Sequence, residues 1–169
     1  NPYHQREDKA MRLYQLFDVY KLYQQRLKEC NAMDFDDMLL ETLRLLREFP
    51  EVREKIQNQY QYVLVDEYQD TNEAQYQLTR FLSAKYRNLC CVGDNDQSIY
   101  AFRGSNYRNI LNFEKDYPNS KIILLEQNYR STKTILNAAN DVIKNNKQRK
   151  DKRLWTDNKE GDKVTYKKC

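Results

Sequence analysis

Asp66 and Glu67 stand side by side directly after the apolar run Tyr62-Val63-Leu64-Val65. A short apolar run of this kind reads as a buried strand, so it delivers both acids to the edge of a sheet. There one carboxylate can hold Mg²⁺ through its water shell, and its neighbour can accept a proton from an attacking water. That is the chemistry of nucleoside triphosphate hydrolysis. Alone, an Asp-Glu pair at a strand end is as readily a capping or structural acid. The unbroken string Val65-Asp66-Glu67-Tyr68-Gln69-Asp70-Thr71-Asn72 weighs against that plainer reading.

Two further strings carry chemistry. Val92-Gly93-Asp94-Asn95-Asp96-Gln97-Ser98-Ile99-Tyr100-Ala101-Phe102-Arg103-Gly104-Ser105 leaves a second apolar run through a glycine. Its polar side chains can face a nucleotide, while Tyr100, Phe102 and Arg103 supply two π-faces and a guanidinium for a nucleic-acid base. Leu125-Glu126-Gln127-Asn128-Tyr129-Arg130-Ser131 comes after a third apolar run. An arginine there can reach a γ-phosphate across a cleft, and a tyrosine beside it can stack on a purine. Singly, Tyr100 or Phe102 reads as inward packing and Arg130 as a surface or ion-pairing arginine.

Periodicity predicts the elements that must position these strings. Leu13, Leu16, Phe17, Tyr20, Tyr23 and Leu27 recur at three- and four-residue steps and predict an amphipathic helix over 10–27. A second helix starts near Asp34 or Asp36, carries Phe35, Met38, Leu39, Leu43 and Leu46 on one side, and stops at Pro50. A short helix over 51–59 precedes the first strand, 62–65. Beyond Asp70 the pattern alternates: helix 73–85 behind an Asn72 cap, strand 88–92, helix 107–117, strand 121–125, helix 132–146. Strands alternating with helices predict right-handed crossovers and a parallel sheet, so the fold class is α/β with a helical segment in front. The stretch 163–166 reads as a further β-segment.

The 169 residues are 40% hydrophobic and 32% charged, with a formal net charge of +4. Mean hydropathy is −1.02 and the pI near 8.8, which favours polyanions but stays below the value above 9 of a dedicated nucleic-acid domain. Basic residues gather over 144–152 and at Lys167-Lys168; the first run reads either as a solvated helix end or as a phosphate track. Four cysteines (Cys30, Cys90, Cys91, Cys169) without C-x-x-C spacing, and a single histidine, His4, argue against metal ligation and a disulfide framework. Cys90 and Cys91 are expected as small buried strand residues in a reducing compartment. With no long apolar run and no signal-like amino terminus, the expectation is a cytoplasmic protein without membrane association. The three glycines Gly93, Gly104 and Gly161 leave no G-x-x-x-x-G-K-[ST] phosphate loop, so the chain is expected to be a piece of a longer ATP-driven protein.

Together, Asp66-Glu67-Tyr68-Gln69-Asp70, Gly93-Asp94-Asn95-Asp96-Gln97-Ser98-Ile99-Tyr100 and Gln127-Asn128-Tyr129-Arg130-Ser131 resemble motifs II, III and IV of superfamily 1 DNA helicases, in particular the UvrD/PcrA/Rep branch. Ala32-Met33-Asp34-Phe35-Asp36-Asp37-Met38-Leu39 resembles a further stretch of that branch, so the likeness covers nearly the whole chain. The resemblance implies a partial RecA-like P-loop NTPase domain. Residues 1–30 would end an inserted helical subdomain, 31–128 would be the later part of the first RecA-like domain, and 129–169 would begin the second. It implies ATP and Mg²⁺ as cofactors, with Asp66 as the Mg²⁺ acid, Glu67 as the base, and Gln97 sensing the γ-phosphate. Tyr129 would stack on adenine and Arg130 would serve as an arginine finger. Tyr100 and Phe102 would stack on single-stranded DNA, with Arg103 beside them facing either DNA or nucleotide.

The implied activity is ATP-dependent 3′-to-5′ translocation on single-stranded DNA and unwinding at single-strand/duplex junctions, in repair and replication and alongside proteins of those processes. Phe102 departs from the branch, which usually has tryptophan there, and offers a smaller π-face. Without the phosphate loop this piece alone is expected to be inactive. A catalytically silent module that binds single-stranded nucleic acid or a protein, and the helicase subunit of a helicase–nuclease complex, are the competing readings.

Overall fold

The computed structural model describes residues 2–106, 108–146 and 152–167, with side chains from Met11 onward. Tyr107, 147–151 and 168–169, and with them part of the basic run, Lys168 and Cys169, lie outside the described residues, as does the side chain of His4. The chain divides into two compact units, 1–61 with 77–86, and 62–76 with 87–169.

The first unit is helical. α1 (Pro2–Glu29) ends in Arg26 and Lys28, cations suited to the negative end of a helix dipole. Its apolar stripe is exposed: Leu13, Leu16, Phe17, Tyr20 and Tyr23 face solvent, so the predicted helix is present but its stripe is not buried within this unit. α2 (Phe35–Glu48) begins at a reciprocal capping box. Asp34 Oδ1 accepts the Asp37 N–H at 2.8 Å, and Asp37 Oδ2 accepts the Asp34 N–H at 3.2 Å, so two orphan donors are satisfied by the pair the sequence placed there. Leu43 and Leu46, one turn apart, are buried, whereas Phe35 and Met38 at the other end of the expected face are exposed. α3 (Pro50–Gln59) starts on Pro50, whose missing N–H costs nothing at a first helical position. Within this unit Gln57 Nε2 donates to the Phe81 carbonyl at 2.6 Å.

The second unit holds the sheet. β1 (Val63–Val65) and β2 (Leu89–Cys91) pair in parallel with Val63 opposite Leu89, Leu64 opposite Cys90 and Val65 opposite Cys91. α4 (Glu73–Ser83), whose residues from 77 on belong to the first unit, lies between them in the chain and starts as expected at Asn72: Asn72 Oδ1 accepts the Gln75 N–H at 2.9 Å while Gln75 Oε1 accepts the Asn72 N–H at 3.0 Å. Cys90 is exposed, correcting the expectation of a buried side chain, because it shares an uncovered sheet face with Leu64. Cys91 points the other way, and burial pushes its thiol up to about 12.

Three further expectations are corrected. The predicted helix over 107–117 is two short helices, α5 (Arg108–Leu111) and α6 (Phe113–Asp116), interrupted at Asn112. The predicted strand over 121–125 is extended but pairs with no strand among the described residues, and Ile122 to Leu125 are exposed. β-propensity supplies the extension, while a strand needs a partner's peptide groups at the right spacing. The stretch 163–166 is likewise unpaired among the described residues. Among the described residues of this part of the chain, Gln127 alone bridges, in parallel, to Trp155.

α7 (Lys133–Ile143) closes the unit. Its first N–H groups are satisfied by chain rather than by a side-chain cap: Lys133 N donates to the Lys159 carbonyl at 3.1 Å and Thr134 N to that of Glu160 at 3.0 Å. Its Leu136 is buried, and its Asn140 Nδ2 donates to the Leu154 carbonyl at 2.9 Å. No helix among the described residues is long and apolar enough to cross a membrane.

Candidate functional site

Parallel pairing brings the carboxyl ends of β1 and β2 out at the same edge, and the Asp66 and Gly93 strings both leave from there. Val92 N donates to the Val65 carbonyl at 2.8 Å, and the Tyr68 N–H returns to the Val92 carbonyl at 2.9 Å, so the ladder continues past both strands into the loops. Between these bonds the chain turns sharply at Glu67, whose φ of 49° and ψ of 41° are left-handed. A non-glycine residue held there stores backbone strain of about 1 kcal/mol or more, a cost met where the surrounding structure over-determines the turn. Asp66 Oδ1 fastens the turn by accepting the Glu67 N–H at 2.9 Å.

Burial of the next two residues supplies that over-determination. Tyr68 and Gln69 open a 3₁₀ turn (Tyr68–Asp70), and each is only 1% exposed. The Tyr68 ring meets Phe113 edge-on at 5.7 Å, and burial holds its phenol well above the usual tyrosine range. Thr71 donates to the Tyr68 carbonyl at 2.7 Å and receives Asn109 Nδ2 at 3.2 Å, which pins α5 to the turn through a buried polar pair.

Gln69 joins the two strings. Its Nε2 donates to Glu67 Oε2 at 2.7 Å, and its Oε1 accepts the backbone N–H of Asp94 at 2.9 Å. Gly93 makes this possible, because a Cβ at that position would lie 2.7 Å from Gln69 Oε1 and 3.2 Å from the Tyr68 nitrogen.

Asp94 then organises its own loop. Oδ1 accepts the Asp96 N–H at 3.0 Å, capping a second 3₁₀ turn (Asn95–Gln97), and Oδ2 accepts Gln97 Nε2 at 2.8 Å. Burial works against its ionisation, but bonds from Lys152, Gln97 and the Asp96 N–H outweigh that and hold the carboxyl below its ordinary range.

Further along, Tyr100 precedes a third 3₁₀ turn (Ala101–Arg103) and Phe102 lies within it, with ring centroids 5.9 Å apart. The Arg103 guanidinium lies 5.3 Å from the Tyr100 ring and 5.5 Å from Phe102. Phe102 is 78% exposed and Tyr100 exposed as well, so neither ring packs inward. The guanidinium, ready to donate in its plane and carrying positive charge against two π-faces, makes the cluster a surface for flat, electron-rich partners.

Tyr129 is 79% exposed and is braced by its own string: its hydroxyl donates to Gln127 Oε1 at 2.9 Å, and Gln127 Nε2 donates to Asp157 Oδ2 at 3.1 Å. Asn128 Oδ1 accepts the N–H groups of Arg130 and Ser131 at 3.0 and 2.7 Å, folding the chain into α7. Arg130 is exposed and in no ion pair among the described residues.

The structure thus unites Asp66, Glu67 and Gln97 through Gln69 and Asp94, and groups Tyr100, Phe102 and Arg103. No hydrogen bond or ion pair among the described residues joins Tyr129 or Arg130 to the acid pair. Sequence reasoning passed over three organising residues. Gln69 was visible only as one letter of the acid string, Asp94 as a generic polar loop residue, and Lys152 as one lysine in a basic run.

Asp66 fits a Mg²⁺ acid: it is exposed at the sheet edge, and its Oδ2 takes no hydrogen bond among the described residues. Glu67 likewise keeps Oε1 outside the Gln69 bond. Beside them the buried Asp70 Oδ1 has no hydrogen-bond partner among the described residues.

Comparison with known proteins bears on the family of the chain. Residues 2–118 match the model of the UvrD/REP helicase N-terminal domain, and residues 123–169 that of the UvrD-like helicase C-terminal domain. The chain is 60% identical over 148 residues to the ATP-dependent DNA helicase PcrA of Staphylococcus aureus, covering 88% of this chain and 20% of that protein. It is 59% identical to PcrA of Staphylococcus epidermidis over the same shares. The chain spans about a fifth of the length of the curated relatives it matches. With the N-terminal model alone matching well over half of its residues, the chain belongs to the UvrD/REP helicase family.

Proposed function

We propose that this chain carries the hydrolytic acids and the DNA-coupling loop of an ATP-dependent helicase and translocase. That protein would move 3′ to 5′ on single-stranded DNA and open duplex at junctions during repair and replication, in the cytoplasm. The observation that supports the reading most is the Gln69 carboxamide, bonded at once to the Glu67 carboxylate and to the Asp94 backbone at one edge of a parallel pair. A hydrolytic centre and its sensor loop need such a shared support if a change at one is to be felt at the other.

In this reading Asp66 would hold Mg²⁺ through water, and the ion would neutralise charge on the phosphates of ATP. Glu67 takes the proton of the attacking water at Oε1, with Oε2 held by Gln69. Gln97 spends one amide proton on Asp94 Oδ2 and keeps the second for a γ-phosphate oxygen. Arg130, exposed and in no ion pair among the described residues, serves as the arginine finger, and Tyr129 stacks on adenine. Tyr100 and Phe102 stack on bases of the single strand, with Arg103 adding charge beside them. The division into 1–30, 31–128 and 129–169, as end of a helical insertion, later part of the first RecA-like domain and start of the second, belongs to the same proposal.

The test is ATP hydrolysis by the intact parent polypeptide, with and without single-stranded DNA, beside its Glu67→Gln variant. DNA-stimulated turnover that falls by about 10²–10⁴ in the variant is the expected result. An intact parent with no turnover would favour a silent nucleic-acid-binding module instead.

A further inference from the structure

Lys152 belongs by sequence to a basic stretch that reads as solvated surface or phosphate track, but its side chain is only 16% exposed. Its ammonium donates to Asp94 Oδ1 and lies 4.0 Å from Asp96 Oδ2, on a side chain that is 6% exposed. Asn146, just past α7, reaches the other oxygen of Asp96, with Nδ2 3.5 Å from Oδ1. A lysine committed to two carboxylates inside the fold has no charge to spare for a phosphate track.

The bond matters because of what Asp94 does with its second oxygen. Asp94 Oδ2 accepts Gln97 Nε2 at 2.8 Å, so two consecutive side-chain bonds run from Lys152 to the Gln97 carboxamide. The path also crosses the chain's internal boundary. Lys152 lies in the stretch matching the C-terminal family model, and Asp94 and Gln97 lie in the stretch matching the N-terminal one. Without the ammonium, a half-buried Asp94 carboxylate would keep only amide donors and would gain by turning toward water, releasing Gln97.

We propose that Lys152 is a positioning residue for the reaction: acting through Asp94, it holds Gln97 in place and ties the segment after α7 to the loop leaving β2. The proposal rests on the reading of Gln97 as the γ-phosphate sensor.

The experiment uses the full-length parent with Lys152→Met, Lys152→Arg, Gln97→Ala and the Lys152→Met/Gln97→Ala double variant. ATP turnover is measured at saturating single-stranded DNA, and amide exchange is followed across 94–103. We expect Lys152→Met to lower kcat about tenfold, the arginine variant to recover most of it, and the double variant to be no worse than Gln97→Ala alone. Exchange in the loop should quicken in Lys152→Met and not in Lys152→Arg. Additive losses in the double variant, or unchanged kcat and loop exchange in Lys152→Met, would overturn the positioning role. A parent without DNA-stimulated turnover would retire the helicase reading, and loop exchange alone would then decide whether Lys152 holds the loop. If the methionine variant does not fold, Lys152→Gln, which keeps a donor but no charge, takes its place in every measurement.

Discussion

Gln69 Nε2 lies 2.7 Å from Glu67 Oε2, and this bond fixes the direction of a carboxylate whose own backbone is left-handed. Free rotation of Glu67 would present either oxygen to solvent; held by Gln69, it presents Oε1. Replacing Gln69 with Leu keeps much of the volume and removes its three side-chain bonds, to Glu67, Asp70 and the Asp94 N–H. It leaves the Asp94 N–H without its acceptor, which should destabilise the protein by about 1–3 kcal/mol. ATP turnover of the full-length protein should fall toward that of Glu67→Gln. Turnover at the wild-type rate in a folded Gln69→Leu protein would remove Gln69 from the site.

Gly93 and Gly104 should respond differently to alanine. At Gly93 the new Cβ would overlap Gln69 Oε1 at 2.7 Å, in a region where little can yield, with an expected loss of about 1–3 kcal/mol and of turnover. At Gly104, φ is 83° but a Cβ would meet nothing within 4 Å, so the cost is the left-handed backbone alone, about 1–2 kcal/mol, with the hydrolytic bonds intact. Thermal unfolding and ATPase assays of the two variants check the contrast.

Tyr100→Ala should weaken single-stranded DNA binding by about 1–3 kcal/mol and leave thermal stability nearly unchanged, because the ring is exposed. Phe102→Trp should tighten binding by enlarging the π-face beside Arg103. Fluorescence anisotropy with a labelled oligonucleotide reads both, and unchanged affinity in Tyr100→Ala would count against stacking.

Arg130→Ala should cost on the order of 10³-fold in ATP turnover with little change in melting temperature, since the side chain is exposed and in no ion pair among the described residues. A loss below about tenfold would argue against a finger role.

Asp94 sets an acid limit on the loop. Its folded pKa lies below the ordinary 3.8, so ionisation favours the folded form. The stabilisation is present in full above 3.8 and is lost as pH falls through the lowered folded value, where the carboxylate protonates and releases Lys152 and Gln97. Asp94→Asn should therefore lose stability at neutral pH and show a shallower acid decline below 3.8 than the parent. Parallel acid-unfolding curves for the two proteins would contradict this.

The placement of much of the candidate site was legible in the residues themselves. Asp66, Glu67, Gln97, Tyr100, Phe102 and Arg103 lie within or next to the loops that leave apolar strands, and strand ends and turn residues are local properties of a chain. The helix start near Asp34 and the cap at Asn72 were readable for the same reason, since the bonds that form there join residues three apart. The tertiary structure decided what depends on partners distant in sequence. It placed Asp94 against Gln69 and Lys152, 25 and 58 positions away, left 121–125 extended without a ladder among the described residues, and turned Cys90 toward solvent. Apolar character and periodicity state that a segment seeks a neighbour. Which neighbour it finds, and which buried polar groups meet there, is set only when packing brings remote residues within hydrogen-bond distance.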